Sequence, residues 1–141
     1  MFTWQKNIVI LSIFFIICFS SVAYTLSKTG KPLKYISGYE MDFNNDTKMD
    51  IAFLTETFFG RQLIVLMKTK KGYNAYVVSK EKSDMQLSCH FEKYLKETVA
   101  GRGKGRIYKT PGNYIQLSLP EGSSVAYFWN GNGFTKVWTS D

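Results

Sequence analysis

The chain has 141 residues, 45% of them apolar and 16% aromatic, and its 18 lysines and arginines outnumber 11 acidic residues to give a formal net charge of +7. That length suits one domain, and no long linker, charge block or low-complexity tract divides it. Two cysteines, Cys18 and Cys89, and a single histidine, His90, exclude a His-rich metal site and a cysteine zinc site, and on this reading a Ser/His/Asp triad as well.

Residues 8–19 read IVILSIFFIICF, with Lys6 the only charge before them and no acidic residue before Glu40. A short positive start, about a dozen apolar residues and small residues at Ser21-Val22-Ala23 make a secretory signal over residues 1–23, with a domain over residues 24–141. The alternative is a retained single-pass inner-membrane anchor over residues 8–26, although Lys28, Lys31 and Lys34 oppose export of the following chain. The bulky Ile17 before Cys18 speaks against a lipid anchor. Cleavage would leave Cys89 alone, best read as a small buried hydrophobe. In an exported protein, periplasmic or extracellular, the basic balance points to an anionic surface such as lipid headgroups or envelope polymers. Nucleic acid is the less natural partner there.

Period-two patterning predicts strands over residues 33–39, 51–57 and 62–69, the last (QLIVLMKT) apolar on both faces at residues 63–67. Residues 73–79 follow after Lys71-Gly72 and close a hairpin. Residues 84–98 (DMQLSCHFEKYLKET) are the one stretch past the signal whose pattern admits a partial helix, and their β-branched and aromatic content leaves helix and strand both open. Residues 100–112 (AGRGKGRIYKTPG) alternate glycine with Arg102, Lys104, Arg106 and Lys109. Amides freed by glycine and flanking cations suit phosphate or sulfate, although no Walker pattern is present and a solvated loop between strands is the preferred reading. Strands over residues 113–119, 123–129 and 134–139 complete the chain, the last two joined by Asn130-Gly131-Asn132-Gly133, residues that accept a tight hairpin turn. The fold class expected is mainly β, a single antiparallel domain of blade-like hairpins.

Between the first two strands lie residues 42–54, DFNNDTKMDIAFL. Counting Asp42 as position 1, side-chain oxygens fall at positions 3 (Asn44), 5 (Asp46) and 9 (Asp50), with Lys48 offering its main-chain carbonyl at 7. Alternate oxygens of a tight loop can converge on a hard cation such as Ca²⁺. The EF-hand pattern fails, because Thr47 and Phe53 stand where it needs glycine and glutamate. A turn in which these side chains bond nearby amides is the competing reading.

The D-x-N-x-D-x-x-x-D spacing before an apolar strand resembles the calcium loop of FG-GAP and VCBS-type repeats, over residues 38–66. The resemblance implies Asp42, Asn44, Asp46 and Asp50 as side-chain ligands and Lys48 as a main-chain ligand. Those repeats carry glycine at positions 4 and 6, where this chain has Asn45 and Thr47. The ending YFWNGNGFTKVWTSD also resembles the C-terminal hairpin of small exported bacterial proteins with one such loop. A closed propeller needs at least four blades of four strands, and this chain holds strands enough for about two.

Cys89 and His90 are adjacent, so on a strand their side chains diverge and cannot act as a pair. The aromatic run Tyr127, Phe128, Trp129, Phe134 and Trp138 reads either as cross-strand packing or as a sugar-stacking platform. Together these features lead us to expect a non-enzymatic exported interaction or structural module with a Ca²⁺ loop. The alternatives are an envelope glycan or peptidoglycan binder or hydrolase, and a membrane-tethered accessory subunit.

Overall fold

The structure, a computed structural model, describes residues 34–57, 60–81, 84–99 and 103–140. The expected signal or anchor over residues 1–26 and the boundary after residue 23 lie outside them, as does Arg102. Eight strands run in order: β1 (Lys34–Met41), β2 (Asp50–Thr57), β3 (Gly60–Thr69), β4 (Gly72–Glu81), β5 (Gln86–Lys96), β6 (Ile107–Ser118), β7 (Ser124–Trp129) and β8 (Phe134–Ser140). No helix occurs among the described residues. The described residues form two four-stranded antiparallel meanders, β1-β2-β3-β4 and then β5-β6-β7-β8.

The apolar alternation explains how the two sheets meet. Ala52 and Leu54 of β2 stand opposite Val65 and Leu63 of β3, and with Met67 they present one buried face. That face packs against Leu87 of β5, Ile115 and Leu117 of β6, and Val125 and Tyr127 of β7, with Phe43 and Met85 filling in from the connections. Because these side chains are removed from water on both sides, each buried Val, Leu, Ile, Phe or Met contributes on the order of 1.5–3 kcal/mol. The unbroken apolar run of β3 follows from its second face, where Ile64 is buried and Leu66 half-buried beside Phe53 and Val77.

A second, smaller core forms within the second sheet. Leu95, Tyr114, Ala126, Phe128 and Val137 are buried together, with Tyr108 packed against them. The ladder between β6 and β7 covers only residues 115–118 against 124–127, so the earlier part of β6 leaves β7 and travels with β5. Thr98 N–H then donates to the Trp138 carbonyl at 2.8 Å, bringing the chain after β5 to β8, the opposite edge of its own sheet. The sheet thus curls so that the chain leaving β5 reaches β8.

The break that permits this curl is written in residues 109–112. Pro111 has no N–H to give the ladder, and the β5–β6 register shifts between Glu92 and Tyr94. Gly112 has φ +126°, and a Cβ there would lie 2.6 Å from the Phe91 ring, so only glycine fits beneath that ring. Thr110 is buried, its hydroxyl donating to the Glu92 carbonyl and accepting from Gly112 N–H at 3.0 Å.

One open reading is settled here and one expectation corrected. Residues 84–98 are not helical in any part: β5 occupies residues 86–96, because Leu87 and Cys89 stand opposite Leu117 and Ile115 and need period two to reach the core. Residues 107–112, expected as loop, begin β6.

Candidate functional site

The acidic loop joins β1 to β2, and its backbone conformation is unusual. Asn45 and Thr47 have φ of 60° and 68°, the only non-glycine residues among those described with positive φ. The side chains hold this shape by capturing amides. Asp42 accepts Asp46 N–H at 3.1 Å on Oδ1 and Thr47 N–H at 2.7 Å on Oδ2. Asn44 Oδ1 accepts the same Asp46 N–H at 3.1 Å, so Asp42 and Asn44 converge on one point. Asp46 Oδ1 accepts Lys48 N–H at 3.0 Å, while its Oδ2 pairs with Lys48 Nζ at 2.8 Å.

Asp50 is set apart from this group. It is fully buried, accepting Phe43 N–H at 3.0 Å on Oδ2 and Lys68 N–H at 2.7 Å on Oδ1, and so ties the loop to β3. Asn113 of β6 donates from Nδ2 to the Asp42 carbonyl at 2.5 Å, so both sheets grip the loop. Burial raises the Asp50 carboxyl above its ordinary value, against the pull of the two amides, and the charges of Asp46 and Asp42 raise it further. The Lys48 side chain lowers Asp46. Among the described residues no three His, Cys, Asp or Glu side chains gather where they could hold one ion. The side-chain oxygens that do converge are those of Asp42 and Asn44, on the Asp46 amide, while the Asp46 carboxylate is turned to Lys48.

The basic loop is placed in part. Lys104 and Arg106 are exposed between β5 and β6, and Lys109 is exposed on β6. Lys104 N–H donates to Glu97 Oε2 at 2.8 Å, so an internal carboxylate already uses that amide. Glu97 N–H donates to the Arg106 carbonyl at 2.8 Å, and Gly103 sits so close to Thr98 that a Cβ would reach its carbonyl at 1.9 Å.

Around His90 the structure adds a pair that the sequence reading did not single out. A single histidine suffices for a pair, and Ser88 Oγ lies 2.9 Å from His90 Nε2. Residues two apart on a strand share a face, and that spacing was the available signal. His90 also stacks on the buried Tyr114 with centroids 5.4 Å apart, while its contact with Ser88 is open to water. Burial of Tyr114, with the nearby charge of Glu92, raises its phenol. Cys89 lies half-buried against the main core, where desolvation pushes its thiol up to about 12.

The aromatic residues of the terminal hairpin meet one another. Trp129 and Phe134 pack edge to face at 5.4 Å, both reach Tyr76 of β4, and Lys136 Nζ lies 4.7 Å from the Trp138 ring centre. No protein-family model matches the chain, and no curated protein or solved structure does.

Proposed function

We propose that the domain is a non-enzymatic interaction or structural module exported to the cell envelope, in which the acidic loop clips the β1–β2 corner to both sheets and takes Ca²⁺ as a structural ion. The observation that supports this reading is the left-handed backbone at Asn45 and Thr47. These are positions 4 and 6 of the loop, where FG-GAP and VCBS-type repeats carry glycine. A β-branched residue such as Thr47 adopts that conformation only when its surroundings impose it, at a cost of about 1–3 kcal/mol.

Asp42, Asn44 and Asp46 would hold the ion with the main-chain carbonyl of Lys48, and Asp50 would stay on its two amides as the anchor beneath. The ion would supply positive charge to crowded carboxylates, a task that the Lys48 ammonium performs beside Asp46. Binding to the folded state alone stabilises by RT ln(1 + [L]/Kd), or about 1.4 kcal/mol at about ten times Kd.

Thermal unfolding of the chain with millimolar Ca²⁺ against chelator is the test. A higher midpoint with Ca²⁺, lost in Asp46→Ala and enlarged in Thr47→Gly, supports the clip as a metal site. An unchanged midpoint in the wild-type chain leaves the loop as a metal-free turn. Incubation with cell-wall fragments then tests the module: retention without new reducing ends fits a binding role, and new reducing ends would make it a hydrolase.

A further inference from the structure

The distal half of the β5–β6 hairpin turns Leu95 and Tyr108 into the second core and leaves its other face to solvent. On that face Tyr94 stands directly opposite Lys109, and Lys96 directly opposite Ile107. Tyr94 is 61% exposed and Ile107 70%, among the most exposed large apolar side chains described. On the connection that follows β5, Val99 is 76% exposed, seated against Gly105, two residues before Ile107, where a Cβ would lie 2.7 Å from it. Lys104 and Arg106 are exposed on the same connection. Lys96 and Lys109 occupy diagonal positions, about 7–8 Å apart in such ladders. No ion pair among the described residues involves either. The one carboxylate of the connection, Glu97, is turned onto the Lys104 amide.

We infer that this face is a docking surface for an anionic lipid bilayer, with Tyr94, Val99 and Ile107 entering the headgroup boundary and Lys96, Lys104, Arg106 and Lys109 lying along the phosphates. The charge pattern fits a surface of opposite sign, each cation near such a membrane adding attraction that salt weakens. The exposed aliphatic side chains decide between lipid and a soluble polyanion. Nucleic acid and acidic polysaccharide give Val99 and Ile107 nothing to enter, whereas an interface buries apolar residues ringed by lysine and arginine. The curl of the sheet makes the surface rigid, since Leu95 and Tyr108 directly behind it are packed against Ala126, Phe128 and Val137. This inference does not draw on the acidic loop, so its failure and that of the Ca²⁺ reading are separate results.

The test reads the hairpin itself, whatever residues 8–26 do at a membrane. The full chain carrying Ile107→Cys in a Cys18→Ser background is labelled with an environment-sensitive dye, a half-buried Cys89 thiol held near 12 being a poor competitor for the reagent. Vesicles of phosphatidylglycerol with phosphatidylethanolamine should shift the dye to the blue, and phosphatidylcholine vesicles should not. In Lys96→Gln with Lys109→Gln, the lipid concentration for half the shift should rise about thirtyfold. The same dye at Lys70→Cys, on the β3–β4 turn, should stay unshifted. The inference is overturned by no shift at residue 107, by equal shifts in both kinds of vesicle, by an equal shift at residue 70, or by a shift with double-stranded DNA as large as that with anionic vesicles.

Discussion

Replacing Asp50 by asparagine isolates the anchor of the acidic loop with almost no change in size. In the wild-type chain two carboxylate oxygens accept Phe43 N–H at 3.0 Å and Lys68 N–H at 2.7 Å in a fully buried setting. The amide keeps one oxygen for one of these donors and turns an NH₂ group toward the other. A charge-assisted bond is lost and a buried N–H is left without an acceptor, together costing about 2–4 kcal/mol. Burial already raises the Asp50 carboxyl, so the neutral amide escapes part of the desolvation that the ionised group bears, and the net loss should be about 2 kcal/mol at neutral pH. For a domain near 100 residues that is a fall of about 8 °C in Tm. The sign of the pH dependence gives a second check. A carboxyl raised in the folded state contributes most stability at low pH and less as pH rises through the window above 3.8, so the deficit of Asp50→Asn should widen on acidification. Urea and thermal unfolding of the two chains supply both numbers. A deficit under about 0.5 kcal/mol at neutral pH would refute the claim that this carboxylate holds the loop to β3.

Three further outcomes follow from the same structure. Asp46 is lowered by Lys48, so its contribution is present above 3.8 and lost as pH falls through its folded value; the stability gap between wild type and Asp46→Asn should close on acidification, opposite to Asp50. Gly112→Ala combines a φ of +126° with a ring atom 2.6 Å from the new Cβ and should cost about 2–4 kcal/mol in urea unfolding, unless Phe91→Ala in the same chain removes the clash and recovers part of it. Cys89, pushed up to about 12 from an ordinary 9.0, should react with iodoacetamide about a thousandfold more slowly in the folded chain than in urea, as read by mass spectrometry of its peptide.

Much of the fold is legible in the sequence because the alternation is strong. Residues 63–67 are apolar at every position, and both faces of β3 carry buried side chains, Leu63, Val65 and Met67 on one and Ile64 on the other. The turn at residues 130–133 lies where Asn-Gly pairs invite it, Asn130 Oδ1 accepting the amides of Asn132 and Gly133 at 3.0 Å. Residues 86–96 carry two periodicities at once. Leu87, Phe91 and Leu95 recur at helical spacing while Leu87 and Cys89 alternate, and only pairing with β6 decides between the two. The second core needs Ser124–Trp129, buried at nearly every position, to be read as a strand covered twice over. It also needs the curl of the sheet, which depends on Pro111 and Gly112 inside a strand rather than after one. In the acidic loop the spacing of oxygens reveals a turn, and the structure adds which oxygens converge. Asp42 and Asn44 share an amide, whereas Asp50, four residues past Asp46, is drawn into the core by Lys68, a partner 18 residues away.

The most direct measurement for the clip is a Ca²⁺ titration of the isotopically labelled chain followed by its backbone amide resonances. On this account the amides of residues 44–48 shift together and saturably, with Lys48 Nζ released from Asp46, while those of Phe43 and Lys68 on Asp50 hold still. Amides of residues 44–48 that do not respond to Ca²⁺, or a response centred on the Asp50 anchor, would contradict it.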